Sequence, residues 1–172
     1  MSEGGGQQPP NPPVGQASLP AYMEPLFTRY QRDLPHWRLT GATYFVTWRL
    51  ASGQVELSEL ERYLVARAIL HFDTVRYEMF AWVVMNDHVH VLLKPSGQNE
   101  LRQILHSWKS FTARSFQRDQ GRTGRVWQSE SFDRIIRDEE ELLKTADYIL
   151  GNPAKRWPER MSYEWVGSNA IL

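Results

Sequence analysis

The chain has 172 residues, enough for about one domain with a sizeable core. It contains no cysteine, which excludes disulfides, thiolate metal sites and cysteine nucleophiles, so any metal must be held by His, Asp, Glu, Asn or Gln. Twenty basic and twenty acidic residues balance, so the global basic signature of a nucleic-acid binder is missing, while a hydrophobic share of 41% and seven tryptophans argue against disorder over most of the length.

No run of about 18 apolar residues is present, so no transmembrane helix and no membrane partner are expected. The opening MSEGGGQQPP lacks the basic and apolar regions of a signal peptide, and a cytoplasmic location is expected. Residues 1–20, rich in Gly, Pro and Gln, read as a disordered tail. Residues 21–42, broken by Pro25 and Pro35, read as an irregular lead-in. The domain is expected over 43–157, with 158–172 as a C-terminal tail.

Regular structure begins at Tyr44. Tyr44 to Leu50 is aromatic and β-branched, and Tyr44, Val46, Trp48 and Leu50 alternate onto one face of a strand. A helix follows, with Ser58 and Glu61 as a capping box and Leu60, Leu64 and Ala68 on one face. Residues 78–85 read as a strand. Asn86-Asp87 reads as a two-residue turn, since both residues tolerate positive φ, and His88 to Lys94 as the returning strand. A second helix is expected over residues 99–118, with Leu101, Ile104, Leu105, Trp108 and Thr112 at helical spacing. After a break at Gly121 and Gly124, residues 125–136 read as extended. A last helix starts at Asp138, capped towards Glu141, and runs to Pro153. The order β-α-β-β-α-β-α points to an α+β, ferredoxin-like fold of the split βαβ kind. Its antiparallel sheet carries helices on one face and a C-terminal helix with a tyrosine.

His88 and His90 are two apart on a strand, so both side chains take one face, roughly 7 Å apart along it. Val89, Val91 and Leu93 take the other. Paired neutral imidazoles suit a divalent transition metal; two half-buried histidines bonded to their neighbours fit the spacing equally. In the last helix, Leu142, Leu143, Ala146, Ile149 and Leu150 form an apolar stripe, and Tyr148 falls nearly opposite it, with Lys144 and Asn152 one turn away on its side. Tyr148 reads as a reactive group or as an amphipathic tyrosine covering a neighbour. From Leu101 to Gln128, six basic residues face one acid, Asp119. Arg102, His106 and Lys109 share one helical stripe and Arg122 and Arg125 lie in the following loop, as a phosphate-binding surface or a solvated helix face. Trp127 is a candidate base-stacking residue or a core tryptophan. Lys144 is a candidate cation for Tyr148 or a solvated lysine.

The segment WVVMNDHVHVLL, residues 82–93, resembles the His-hydrophobic-His motif of the HUH endonucleases. The segment from Tyr148 to Lys155, YILGNPAK, is similar to the tyrosine segment of REP-associated tyrosine transposases, as are SWKSFTA at 107–113 and the block from Val126 to Glu140. The resemblance covers Tyr44 to Arg156. It implies His88 and His90 as metal ligands with Asn152 as a third, Tyr148 as the nucleophile, and Mg2+ or Mn2+ as the cofactor. It also implies single-stranded DNA with a palindromic hairpin as partner, and cleavage and rejoining through a 5′-phosphotyrosine link. Where the family has Pro-Asn before the first histidine this chain has Asn86-Asp87, and where it continues Val-Lys-x-Gly this chain has Ala154-Lys155-Arg156-Trp157. Monomer and homodimer remain open. Two other readings stay in play. One is a non-catalytic nucleic-acid-binding module on the same fold. The other is a metal-dependent hydrolase using Glu130 or Asp133 as a base.

Overall fold

The computed structural model describes residues 28–31, 35–38 and 41–169; the tail expected over 1–20 lies outside them. The element order is β1 (Thr28–Gln31), β2 (Pro35–Arg38), β3 (Tyr44–Arg49), α1 (Glu59–Leu70), β4 (Tyr77–Val84), β5 (His88–Pro95), α2 (Leu101–Asp119), β6 (Phe132–Ile135), α3 (Glu139–Leu150), α4 (Asn152–Arg156) and β7 (Val166–Ser168). The lead-in expected to be irregular therefore contains an antiparallel pair, β1 with β2. Pro35 is compatible with it because proline is tolerated as the first residue of a strand.

The main sheet is antiparallel throughout, in the order β6-β3-β5-β4-β7. The crossover from β3 through α1 to β4 leaves a gap that β5 fills, which is the split βαβ arrangement. The expected β-α-β-β-α-β-α core is present, and the chain adds α4 and β7 to it. Residues expected as a C-terminal tail instead extend the sheet. β7 pairs with β4, Trp165 is buried, and the Tyr163 hydroxyl donates to the Val84 carbonyl at 2.7 Å. The reason is a local aromatic anchor: Tyr163 meets Trp157 and Trp165 ring to ring, and the Arg62 guanidinium lies 4.2 Å above the Trp165 ring.

Alternation along the strands divides the sheet into two faces. Tyr44, Val46 and Trp48 of β3 join Val89, Val91 and Leu93 of β5 under α1 and α2. Phe45, Ala81, Val83 and Leu92 face the other way and pack on Ala146 and Ile149 of α3. Helices on one face thus describe α1 and α2, while α3 covers the opposite one. A register shift between Met79 and Ala81 reverses the parity of β4, so Tyr77 and Met79 share the α1/α2 face with Trp82 and Val84. Among the described residues, no helix is long and apolar enough to cross a membrane.

Two helix faces differ from expectation. In α1 the capping box of Ser58 and Glu61 is formed, Ala68 is buried and Leu64 packs on the core as expected, but burial centres on Val65, Ala66 and Ile69, and Leu60 is exposed. In α3 the buried centre is Thr145, Ala146 and Ile149, and Leu143 and Leu150 are exposed. Burial on α3 is thus rotated towards Tyr148, which sits at the rim of the apolar face rather than opposite it. The β4–β5 turn also forms without positive φ at Asn86 or Asp87. Their carbonyls instead accept from Leu57 at 2.7 Å and Leu50 at 2.9 Å, and Asn86 Nδ2 donates to Glu56.

Candidate functional site

The β3–β5 register sets Thr47 opposite His90 and Arg49 opposite His88. The two imidazole rings lie 4.6 Å apart, centre to centre. Each uses Nδ1 locally: His88 Nδ1 donates to Asp87 Oδ1 at 2.6 Å, and His90 Nδ1 lies 2.6 Å from Thr47 Oγ1. That leaves both Nε2 atoms as the ring nitrogens open to a ligand. Asp87 is itself held by Arg49 at 3.0 Å. Burial pushes His90 down to about 3, with the neighbouring His88 and Arg49 acting in the same direction. Burial also lowers His88, against the opposing pull of Asp87. Both rings are therefore neutral at ordinary pH, the form in which imidazole binds metals.

α3 brings Tyr148 over this pair. Its ring lies 5.5 Å from that of His90 and 6.1 Å from Phe45, which also stacks on His90 at 5.4 Å. Tyr148 is 44% exposed, so the phenol is supported by the protein and open to a large substrate. Asn152 Nδ2 donates to the Tyr148 carbonyl at 2.9 Å, which commits its nitrogen and leaves Oδ1 as its ligand-type atom. Among the described residues no three His, Cys, Asp or Glu side chains cluster as a metal cage. A metal here would therefore need an amide or a substrate oxygen beside the two histidines.

The basic candidates separate. Arg102, His106, Lys109 and Arg125 line one groove of about 850 Å3 between α2 and the segment 124–131. Lys109 Nζ donates to the Ser129 carbonyl at 3.1 Å, and burial lowers this lysine to about 8, opposed by Glu130 and assisted by Arg125. Trp127, the candidate stacking residue, is a core residue that donates to Thr112 Oγ1 at 2.9 Å. Arg122 is a correction: its side chain is 6% exposed, paired with Glu61, and donates to the Val55 and Glu56 carbonyls. All its donors are consumed in joining the loop to α1, so it offers nothing to DNA. Lys144 pairs with Glu140 and lines a smaller groove with Arg134, Arg137 and Tyr148. The ammonium beside the tyrosine is Lys155 of α4, 4.9 Å from the ring centre.

Phe45, Thr47 and Lys155 stand beside the candidate site without being singled out by the sequence alone. Period-two alternation put Phe45 and Thr47 on the face of β3 turned away from Trp48, which was a usable signal. The split βαβ arrangement puts β5 beside β3, but the register that sets Thr47 against His90 is not marked in the local sequence.

The Transposase IS200 like family model matches residues 53–152, a span that holds both histidines, Tyr148 and Asn152. A REP-associated tyrosine transposase of Escherichia coli (strain K12) is 26% identical over 130 residues, covering 74% of this chain and 75% of that protein. A Haemophilus influenzae relative is 27% identical over 103 residues, covering 54% and 58%. The solved structure of a REP-associated tyrosine transposase bound to a REP hairpin shares the fold, with a TM-score of 0.59 at 23% identity over 73% of this chain and 74% of that one. The family match spans more than half of the chain, and this protein belongs to the IS200-like transposases.

Proposed function

We propose that this protein cuts and rejoins single-stranded DNA beside a hairpin, with Tyr148 as the nucleophile and a divalent metal at His88 and His90. The observation that carries the reading is the meeting of Tyr148 on α3 with His90 on β5 at 5.5 Å, over two rings whose Nδ1 atoms are already engaged. Metal-binding histidines characteristically present one nitrogen to the ion and anchor the other on a carboxylate or similar acceptor. Mg2+ or Mn2+ would be held by Nε2 of His88 and His90 with Oδ1 of Asn152, and when bound supplies Lewis-acid polarisation of a non-bridging phosphate oxygen.

The Tyr148 phenolic oxygen attacks the scissile phosphorus. The bond to phosphorus forms as the bond to the 3′ oxygen breaks, leaving a 5′-phosphotyrosine and a free 3′-hydroxyl. A second 3′-hydroxyl attacks the phosphotyrosine and releases the phenol. One phosphodiester replaces another, so no nucleotide hydrolysis is needed. His90 and Phe45 restrict where the Tyr148 ring can go, which is the orientation part of the barrier reduction. Arg102, Lys109 and Arg125 contact backbone phosphates from their groove, while Lys144 flanks the strand at the tyrosine. Because one chain carries both histidines and the tyrosine at one place, the reading is action in cis. The catalytic domain spans 43–157, with β7 completing its sheet.

The test is a denaturing gel of the protein mixed with labelled hairpin-bearing single-stranded DNA and Mn2+. A slow covalent band is expected that disappears in Tyr148→Phe and with EDTA. Cleavage that persists in Tyr148→Phe would replace this reading with a metal-dependent hydrolase. Binding without cleavage would leave a non-catalytic DNA-binding module.

A further inference from the structure

Four cations lie around Tyr148, and three of them are engaged by carboxylates. Lys144 pairs with Glu140, and Arg134 and Arg137 both pair with Glu141. Lys155 has no carboxylate partner among the described residues, and its ammonium stands 4.9 Å from the centre of the Tyr148 ring. The placement follows from the chain between them. α3 closes at Gly151, whose φ of −79° and ψ of −5° remain right-handed, so α4 continues in nearly the same helical sense. Tyr148, Asn152 and Lys155 consequently fall at i, i+4 and i+7, on one side of the α3–α4 unit. A side chain at Gly151 would meet the Asp147 carbonyl at 3.1 Å, so this close junction uses the missing Cβ.

We propose that Lys155 is a positioning residue for Tyr148. The half-exposed ring meets the aromatic rings of His90 and Phe45. The Lys155 ammonium supplies an attractive contact from a different element, α4, and so narrows the rotation of the ring away from the histidines. A cation over an aromatic face is held by the ring quadrupole and needs no proton transfer, so the contact persists before and after the phenolic oxygen is esterified. This inference rests on the tyrosine mechanism proposed above.

Two measurements test it together. The first uses metal-free protein labelled with 13C in its tyrosine rings, with the Tyr148 resonances assigned by Tyr148→Phe. The second is the single-turnover rate of covalent adduct formation at saturating hairpin DNA, alongside hairpin affinity in EDTA. In Lys155→Met the Tyr148 ring resonances are expected to move, and adduct formation to slow about fivefold, the size of an exposed cation–π contact. Hairpin affinity should be unchanged, and Lys155→Arg should restore both signals. A Lys155→Met protein with unmoved resonances and a wild-type rate at saturation overturns the inference, and weaker hairpin binding alongside these would make Lys155 a phosphate contact. If the wild-type protein forms no adduct, the tyrosine mechanism itself falls. The resonances then still decide whether Lys155 holds the ring.

Discussion

At the scale of single residues, the candidate centre depends on what stands behind each histidine. Asp87 accepts from His88 Nδ1, and Arg49 holds Asp87 in turn. This chain of three fixes the tautomer of His88 and the direction of its free nitrogen. Thr47 holds the orientation of the His90 ring across the β3–β5 pair, although a hydroxyl, unlike a carboxylate, accommodates either tautomer. Removing such a supporting partner typically weakens metal affinity by about 10–100-fold. Asp87→Ala should therefore bind Mn2+ less tightly by that factor in isothermal titration, with hairpin affinity in EDTA unchanged. Equal Mn2+ affinity in the variant would mean that Asp87 serves only the β4–β5 turn.

At the scale of elements, one ion pair decides how the loop after α2 is used. Glu61 caps α1 through Ser58 and also receives Arg122. Burial alone would raise the Glu61 carboxyl, but the bonds from Arg122 and Ser58 outweigh it and hold the group below its ordinary range. Removing one partner of a buried pair leaves an uncompensated charge and costs about 3–5 kcal/mol. Arg122→Ala should lower unfolding stability by that amount in urea melts. Arg125→Ala, on the exposed side of the same loop, should stay within about 0.5 kcal/mol of wild type and lose hairpin affinity instead. A stable Arg122→Ala protein with weakened DNA binding would return Arg122 to the DNA surface.

At the scale of the whole molecule, the sheet separates the two regions to which the proposed function assigns roles. The groove of Arg102, His106, Lys109 and Arg125 lies by α2, whereas His88 and His90 lie on the opposite face beneath Tyr148 of α3. The segment 124–131 borders the groove and leads into β6, where Phe132 meets Phe45 at 6.3 Å beside the histidines. One stretch of chain thus spans the sheet edge between them, a path along which a DNA strand can be followed. Lys109 gives that path a pH signature. Its ammonium is charged at pH 7 but loses its proton through about 8, mainly because it is buried. Above that value, phosphate binding must first return the proton. Hairpin affinity should then fall by up to about tenfold per pH unit above 8. Lys109→Arg should remain flat, because a guanidinium keeps its charge. A wild-type affinity independent of pH between 7 and 9 would remove Lys109 from the DNA contact.

The sequence by itself determined the elements and their chemistry. Period-two alternation marked β3 and β5, the apolar run within residues 78–85 marked β4, the Ser58–Glu61 box and the Asp138 cap marked where α1 and α3 begin, and His88-Val89-His90 divided its strand into an apolar and an imidazole face. These are local properties, set by backbone geometry within a few residues. The tertiary structure decided everything that depends on a partner distant in sequence. It rotated the buried face of α1 away from Leu60, drew Tyr148 from the side of α3 opposite its apolar stripe to the rim of the packed face, committed Arg122 to Glu61, and brought β7 back to β4. Each of these outcomes turns on which surfaces meet once β5 inserts between β3 and β4. Helical spacing ranks the residues of a stripe but does not choose which flank of it is buried. That choice belongs to the shape of the opposing sheet face.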